Sequence, residues 1–181
     1  MSGSWQCTCG AAEYSLPPSQ YVCSEGEYGT PACKGSGQWH CDQNDSPIII
    51  DTTGEGFHLT SAADGVEFDI SGTGHLIQIA WKAKGSGNAF LALDRNGDGK
   101  IASGKDLFGN FTAQPKSAHP NGFLALAEFD RPENGGNGDG IIDKRDAVYS
   151  RLLLWIDENH DGVSQPNELI SFRNWAFSRS H

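Results

Sequence analysis

Asp157-Glu158-Asn159-His160-Asp161-Gly162-Val163-Ser164-Gln165-Pro166-Asn167-Glu168 decides the reading of this chain. Asp157, Asn159 and Asp161 place short oxygen-bearing side chains at positions 1, 3 and 5 of a tight loop. Gly162 at position 6 permits the sharp bend, Val163 at position 7 offers a backbone carbonyl, and Glu168 at position 12 closes the shell. Calcium is a hard cation that takes six to eight oxygens, and this spacing supplies them from one short segment. Gln165, at position 9, reaches such an ion through water. The competing reading is a turn rich in Asn, Asp and Gly whose side chains bond their own backbone. That reading leaves Glu168 unaccounted for.

Two further copies lie upstream. Asp94-Arg95-Asn96-Gly97-Asp98-Gly99 repeats the pattern, with the Lys100 carbonyl next. Its twelfth position is Lys105, so the nearest closing acid is Asp106, one residue late. Gly135-Gly136-Asn137-Gly138-Asp139-Gly140 has no side-chain ligand at its first position. Asn137, Asp139, the Ile141 carbonyl, Asp143 and Asp146 supply the rest. The missing first oxygen is expected from Asp130 folding back, with Glu133 as the other candidate. Two fainter echoes, Asp51-x-Thr53-x-Glu55-Gly56 and Asp69-x-Ser71-x-Thr73-Gly74, keep the spacing but have too few carboxylates and no closing acid at the expected distance. They read as turns.

Outward from the loops, the texture changes near residue 46. Ile48-Ile49-Ile50 is a β-branched run, and the stretches 57–60, 66–70 and 75–81 alternate with period two. Ile77, Ile79 and Trp81 are expected to share one strand face. These runs predict a small antiparallel sheet. Phe90-Leu91-Ala92-Leu93 leads into the first loop, and Leu152-Leu153-Leu154-Trp155, apolar on all sides, is expected to be buried. Asn121 is placed to cap a short helix with Phe123, Leu126 and Ala127 as its apolar stripe. Further short helices are expected over residues 144–151 and after Pro166. Residues 174–181 show no pattern and read as a tail.

Residues 1–45 carry all five cysteines, Cys7, Cys9, Cys23, Cys33 and Cys41, among Gly, Ser and Pro, with almost no aliphatic residues. A segment of that kind cannot bury a core, and disulfides are the first expectation. An odd count leaves one thiol over, and the pairing does not follow from spacing. Zinc is the runner-up, drawing on Cys7, Cys9, Cys33, His40 and Cys41, although Cys-x-Cys departs from the usual knuckle spacing. The expected organisation is thus a Cys-rich appendage (1–45), an α+β domain (46–173) of small sheet and short helices around the loops, and the tail.

The chain has 181 residues, 37% of them hydrophobic, and a formal net charge of -10. Such a surface repels nucleic acid and attracts cations. No apolar run reaches the ~18 residues of a membrane span. Met1-Ser2-Gly3-Ser4-Trp5 offers neither a basic start nor an apolar segment, so export implies a signal already removed or a longer parent chain. No His-x-x-x-His pair, Gly-x-Ser-x-Gly elbow or phosphate-binding glycine loop is present. The sequence therefore carries no evident catalytic machinery.

Residues 46–172 resemble the EF-hand-like calcium-binding modules of large secreted bacterial proteins, including RTX-type exoproteins. The resemblance rests on Pro47-Ile48-Ile49-Ile50-Asp51, on Phe90 through Gly99, on Asp106-Leu107-Phe108-Gly109, on Asn121-Gly122-Phe123, and on Leu154-Trp155-Ile156-Asp157 leading to Gly162-Val163-Ser164. It implies a closing acid at Asp106, export, and folding driven by calcium outside the cell. Some relatives of this kind cleave themselves at an Asp-Pro bond when calcium binds. This chain has no Asp-Pro; Asp45-Ser46-Pro47 interposes a serine. The expectation is an extracellular, structural module holding about three calcium ions. Self-association or another extracellular protein is its expected partner, and self-processing is the alternative.

Overall fold

A computed structural model describes residues 30–33, 39–42, 47–117 and 120–178. The chain divides into two units, Met1–Asn44 and Asp45–His181. In the first, strands β1 (Thr30–Cys33) and β2 (Trp39–Asp42) form an antiparallel hairpin with Cys33 opposite Trp39 and Pro31 opposite Cys41. The disulfide and zinc expectations concern side chains outside the described residues.

The second unit is α+β. Its main sheet has four antiparallel strands in the order β3 (Ile49–Asp51), β6 (Asn88–Ala92), β7 (Leu153–Trp155) and β8 (Leu169–Ser171). A separate hairpin pairs β4 (Val66–Phe68) with β5 (Ile77–Ile79). The single first-half sheet expected from periodicity is therefore not formed. Only 49–51 joins the main sheet, and 57–60 contributes one isolated bridge, Leu59 to Lys82. Ile77 is half exposed, so it does not share a buried face with Trp81.

The central strands are buried on both faces, which is why they read as unbroken apolar runs instead of alternating. On one face Phe90 and Trp155 meet Phe68 and Trp81, with Trp81 and Phe90 ring centres 4.3 Å apart. On the other, Leu91, Leu93 and Leu154 meet Phe108, Ala125 and Leu152. Aromatic packing of this density contributes more than buried area alone.

Asn121 caps α1 (Gly122–Ala127), its Oδ1 accepting the Leu124 N–H at 3.0 Å. The stripe differs from expectation: Gly122 and Ala125 face the core, while Phe123 is 72% exposed. The helix approaches so closely that a Cβ on Gly122 would lie 2.2 Å from the Phe108 carbonyl oxygen. Of the expected stripe, Leu126 packs against the core. Two 3-10 turns follow, Glu128–Asp130 and Pro132–Asn134.

Residues 144–151 form turns, not the expected helix. Asp146, Tyr149 and Arg151 each donate their N–H three residues back, and the Ala147 N–H goes to the Gly135 carbonyl. The segment is spent on closing a loop. After Pro166 there is likewise a turn, then β8, because pairing with β7 overrides local helix preference. The last helix, α2 (Phe172–Ser178), comes later and lies where the sequence shows no pattern. Phe172 and Trp175 pack onto the core from it. Among the described residues no helix is long and apolar enough to cross a membrane.

Candidate functional site

Four of the five Asp-led loops begin where a strand ends. Asp51 is the last residue of β3, and Asp69, Asp94 and Asp157 follow β4, β6 and β7 within two residues. Each strand thus aims an aspartate into a turn. The same backbone form recurs: positions 4 and 6 are left-handed in all five loops. Glycine fills nine of these ten positions and His160, with φ 64°, fills the tenth. Left-handed backbone is cheap for glycine and costs about 1 kcal/mol or more for other residues.

In the third loop (157–168), Asp157 Oδ1 accepts the His160 N–H at 2.6 Å, and Oδ2 accepts the Gly162 N–H at 2.9 Å. Asp161 Oδ1 accepts the Val163 N–H at 2.8 Å, and its Oδ2 accepts the Asn159 amide at 2.8 Å. Glu168 reaches across the loop, taking the Glu158 N–H at 2.9 Å and the Gln165 N–H at 3.2 Å. The first loop (94–106) repeats this. Asp94 accepts from Gly97 and Gly99 at 2.7 and 2.8 Å, Asn96 from Asp98 at 3.1 Å, and Asp98 from Lys100 at 2.8 Å.

The late acid of the first loop occupies the equivalent of Glu168. Asp106 accepts the Ala102 N–H at 3.1 Å, as Glu168 accepts that of Gln165. The residue before each loop also donates its N–H to the carbonyl of the closing acid, Leu93 to Asp106 at 2.8 Å and Ile156 to Glu168 at 3.0 Å. One extra residue is absorbed without loss of form. The two loops touch where Ile101 N–H meets Ser164 Oγ at 2.8 Å, both residues being buried.

In the second loop Asp130 takes the first-position role and Glu133 does not. Its Oδ1 and Oδ2 accept the Gly138 and Gly140 N–H groups at 3.0 and 2.8 Å. A Cβ on Gly136 would lie 2.1 Å from the Asp130 backbone, so glycine there permits the fold-back. Asn137 and Asp139 accept as in the other loops, and Asp146 takes the Asn137 and Asp143 N–H groups. Asp143 is turned onto Arg145 in a two-pronged ion pair, and Arg145 also bonds Asp139. The Arg145 side chain, with its own N–H second, holds Asp143 at about 2, below the ordinary 3.8. This guanidinium clamp was not read from the sequence.

Position-7 side chains point outward as their backbone role requires: Ile141 and Val163 are exposed. The Gly99 N–H is the largest influence pulling Asp94 below its ordinary value. Burial works against Asp161, yet the Val163 N–H and the Asn159 and Gln165 amides bring it below 3.8. In the two faint loops, Asp51 takes the Gly54 and Gly56 N–H groups and Asp69 those of Thr73 and Gly74. Hydroxyls of Thr53, Ser71 and Thr73 and the carboxylate of Glu55 occupy positions 3 and 5.

The core grips the third loop as it grips no other among the described residues. Trp81 Nε1 donates to Asp157 Oδ2 at 2.8 Å, Lys82 Nζ donates to the Asp157 carbonyl at 2.8 Å, and Trp155 Nε1 lies 3.4 Å from Glu168 Oε2. Asp157, Lys82 and Glu168 are 0%, 0% and 2% exposed. Burial pushes the Lys82 ammonium below its ordinary value, opposed by the charges of Asp157, Glu158 and Glu168. His160 is half-buried, with Nε2 3.0 Å from the Asp64 carbonyl oxygen.

Among the described residues no three His, Cys, Asp or Glu side chains gather into a metal centre. In these loops the acids are turned onto backbone N–H groups, and Asn and carbonyl oxygens make up the rest of each set. The donors nonetheless fit a hard cation. All are oxygens, and those that hold one N–H bond, such as Asp161 Oδ1 and Glu168 Oε1, keep acceptor capacity, whereas both oxygens of Asp157 already hold two donors. The buried Oε1 of Gln165, at position 9 of the third loop, has no hydrogen-bond partner.

A family model described as the SPM domain matches residues 48–178. The chain belongs to the SPM domain family. The SPM match takes in all five loops and both helices of the second unit and leaves out the first unit. The iron-regulated protein FrpA of Neisseria meningitidis serogroup C is 36% identical over 139 residues, which cover 75% of this chain. The chain spans 12% of the length of that relative.

Proposed function

We propose that the second unit is an extracellular calcium-binding structural module of the EF-hand-like kind, whose folding and rigidity depend on about three calcium ions. One observation carries the reading. The third loop buries two carboxylates, Asp157 and Glu168, with a single buried ammonium beside them. Buried charge is costly unless compensated, and a divalent cation among the loop oxygens supplies the balance. The like form of the first and second loops extends the reading to them, as does the resemblance to the calcium modules of secreted bacterial proteins. Calcium would be held by Asp157, Asn159, Asp161, the Val163 carbonyl and Glu168, with the corresponding residues of the other loops. It supplies no reaction there; it draws the ends of each loop together.

The test is a thermal melt of the purified chain in calcium and in chelator, with metal counted by equilibrium dialysis. About three ions and a large loss of melting temperature in chelator are expected, since each site filled to a hundred times its Kd adds about 2.7 kcal/mol. An unchanged melt overturns the reading. Mass spectrometry before and after calcium separates it from self-processing, which would shorten the chain.

A further inference from the structure

We propose that Lys82 is the specificity-determining residue of the third loop and makes it select divalent over trivalent cations. The inference rests on the calcium reading of that loop. Among the described residues Lys82 is the one buried lysine or arginine. Its Nζ is fixed on the carbonyl of Asp157, the loop's first residue, at 2.8 Å. The neighbouring Trp81 indole fixes the same aspartate through Oδ2. Lys82 is 0% exposed, so its ammonium lies beside the loop's first residue and out of contact with solvent.

The acids at ligand positions are Asp157, Asp161 and Glu168, of which Asp157 and Glu168 are buried; Glu158 stands at no ligand position. Three carboxylates against one ammonium leave two negative charges. A divalent ion balances the three carboxylates and the ammonium. A trivalent ion leaves one positive charge in excess beside Lys82, away from water, where uncompensated charge is most costly. The cations near the other loops act differently. Lys100 and Lys105 of the first loop and Arg145 of the second are exposed, so solvent screens them. Arg95 of the first loop is half-buried, but its guanidinium lies over the Phe108 and Phe129 rings and bonds the Lys105 carbonyl, not the loop's leading aspartate. Lys82 was silent in the sequence because its contact with Asp157 spans 75 residues.

Terbium, a trivalent ion close to calcium in size, is the probe. Indole-sensitised terbium emission from the full chain is titrated and then competed with calcium. Loss of that emission in Glu168→Gln assigns it to the third loop. Lys82→Met removes the charge and the donor; Lys82→Gln removes the charge and keeps a donor for the Asp157 carbonyl. Both are expected to raise the terbium-to-calcium preference on the order of tenfold, the size of one partly screened unit-charge interaction. A preference unchanged in the folded variant overturns the proposal. So does an equal loss of affinity for both ions, which would leave Lys82 a positioning residue only. The wild-type chain supplies an independent measurement. Terbium excited directly reports every loop, and the indole-sensitised fraction must yield to calcium before the rest; the reverse order overturns the proposal. If the wild type gives no sensitised emission that calcium removes, the calcium reading of the loop itself fails.

Discussion

Replacing Glu168 with Gln removes a buried charge and keeps its length, but an amide NH2 then faces an N–H group that the carboxylate accepted. Under the calcium reading two effects are expected. By equilibrium dialysis the variant binds one ion fewer. By urea denaturation it loses less stability than the wild type when calcium is exchanged for chelator, by about 2.7 kcal/mol where the site was filled at a hundred times its Kd. Asp51 gives a second test at this scale. The Gly56 N–H, with those of Gly54 and Thr53, holds it at about 2 against an ordinary 3.8. A carboxylate depressed in the folded state contributes stability above its unfolded value and loses it as pH falls through the folded one. Asp51→Asn is therefore expected to lower the denaturation midpoint at pH 5–7 and to flatten its fall between about pH 4 and pH 2. Residue types at fixed spacing made the acids that accept the loop N–H groups legible, including the fold-back of Asp130. Trp81 and Lys82 were not legible, since their contacts with Asp157 lie 76 and 75 residues away in the chain.

Elements whose pattern is purely local were legible too. Asn121 caps α1, and the apolar runs at 90–93 and 152–155 lie in or beside the central strands. The misses share a cause. Where a segment closes a loop, loop closure overrides helix preference. Asp146 turns inward for the Asn137 and Asp143 N–H groups, and residues 144–151 settle into three-residue turns. Glu168 bridges its loop and passes the chain straight to β8. In α1 the close approach at Gly122 turned the core-facing side toward Gly122, Ala125 and Leu126 and left Phe123 outside, a constraint of backbone distance that hydrophobicity does not encode. Gly136 offers the element-level prediction. A Cβ there would strike the Asp130 backbone, so Gly136→Ala is expected to unseat Asp130. Dialysis should find one ion lost, while the indole-sensitised terbium signal of the third loop persists.

At the scale of the molecule, the net charge of -10 is concentrated where backbone N–H groups and a few cations already hold it. About three calcium ions would bring it to about -4, which favours the compact state by easing self-repulsion. The two central strands place Phe90 opposite Trp155. Between those partners lie about sixty residues, the first two loops among them, and the third loop begins just beyond Trp155. Bringing such distant strands together is slow while the intervening chain is loose. An ion that gathers the loops first shortens the search. Calcium should therefore govern the tempo of folding as well as its extent: in stopped-flow refolding the rate is expected to rise with calcium and to level off as the first two loops fill.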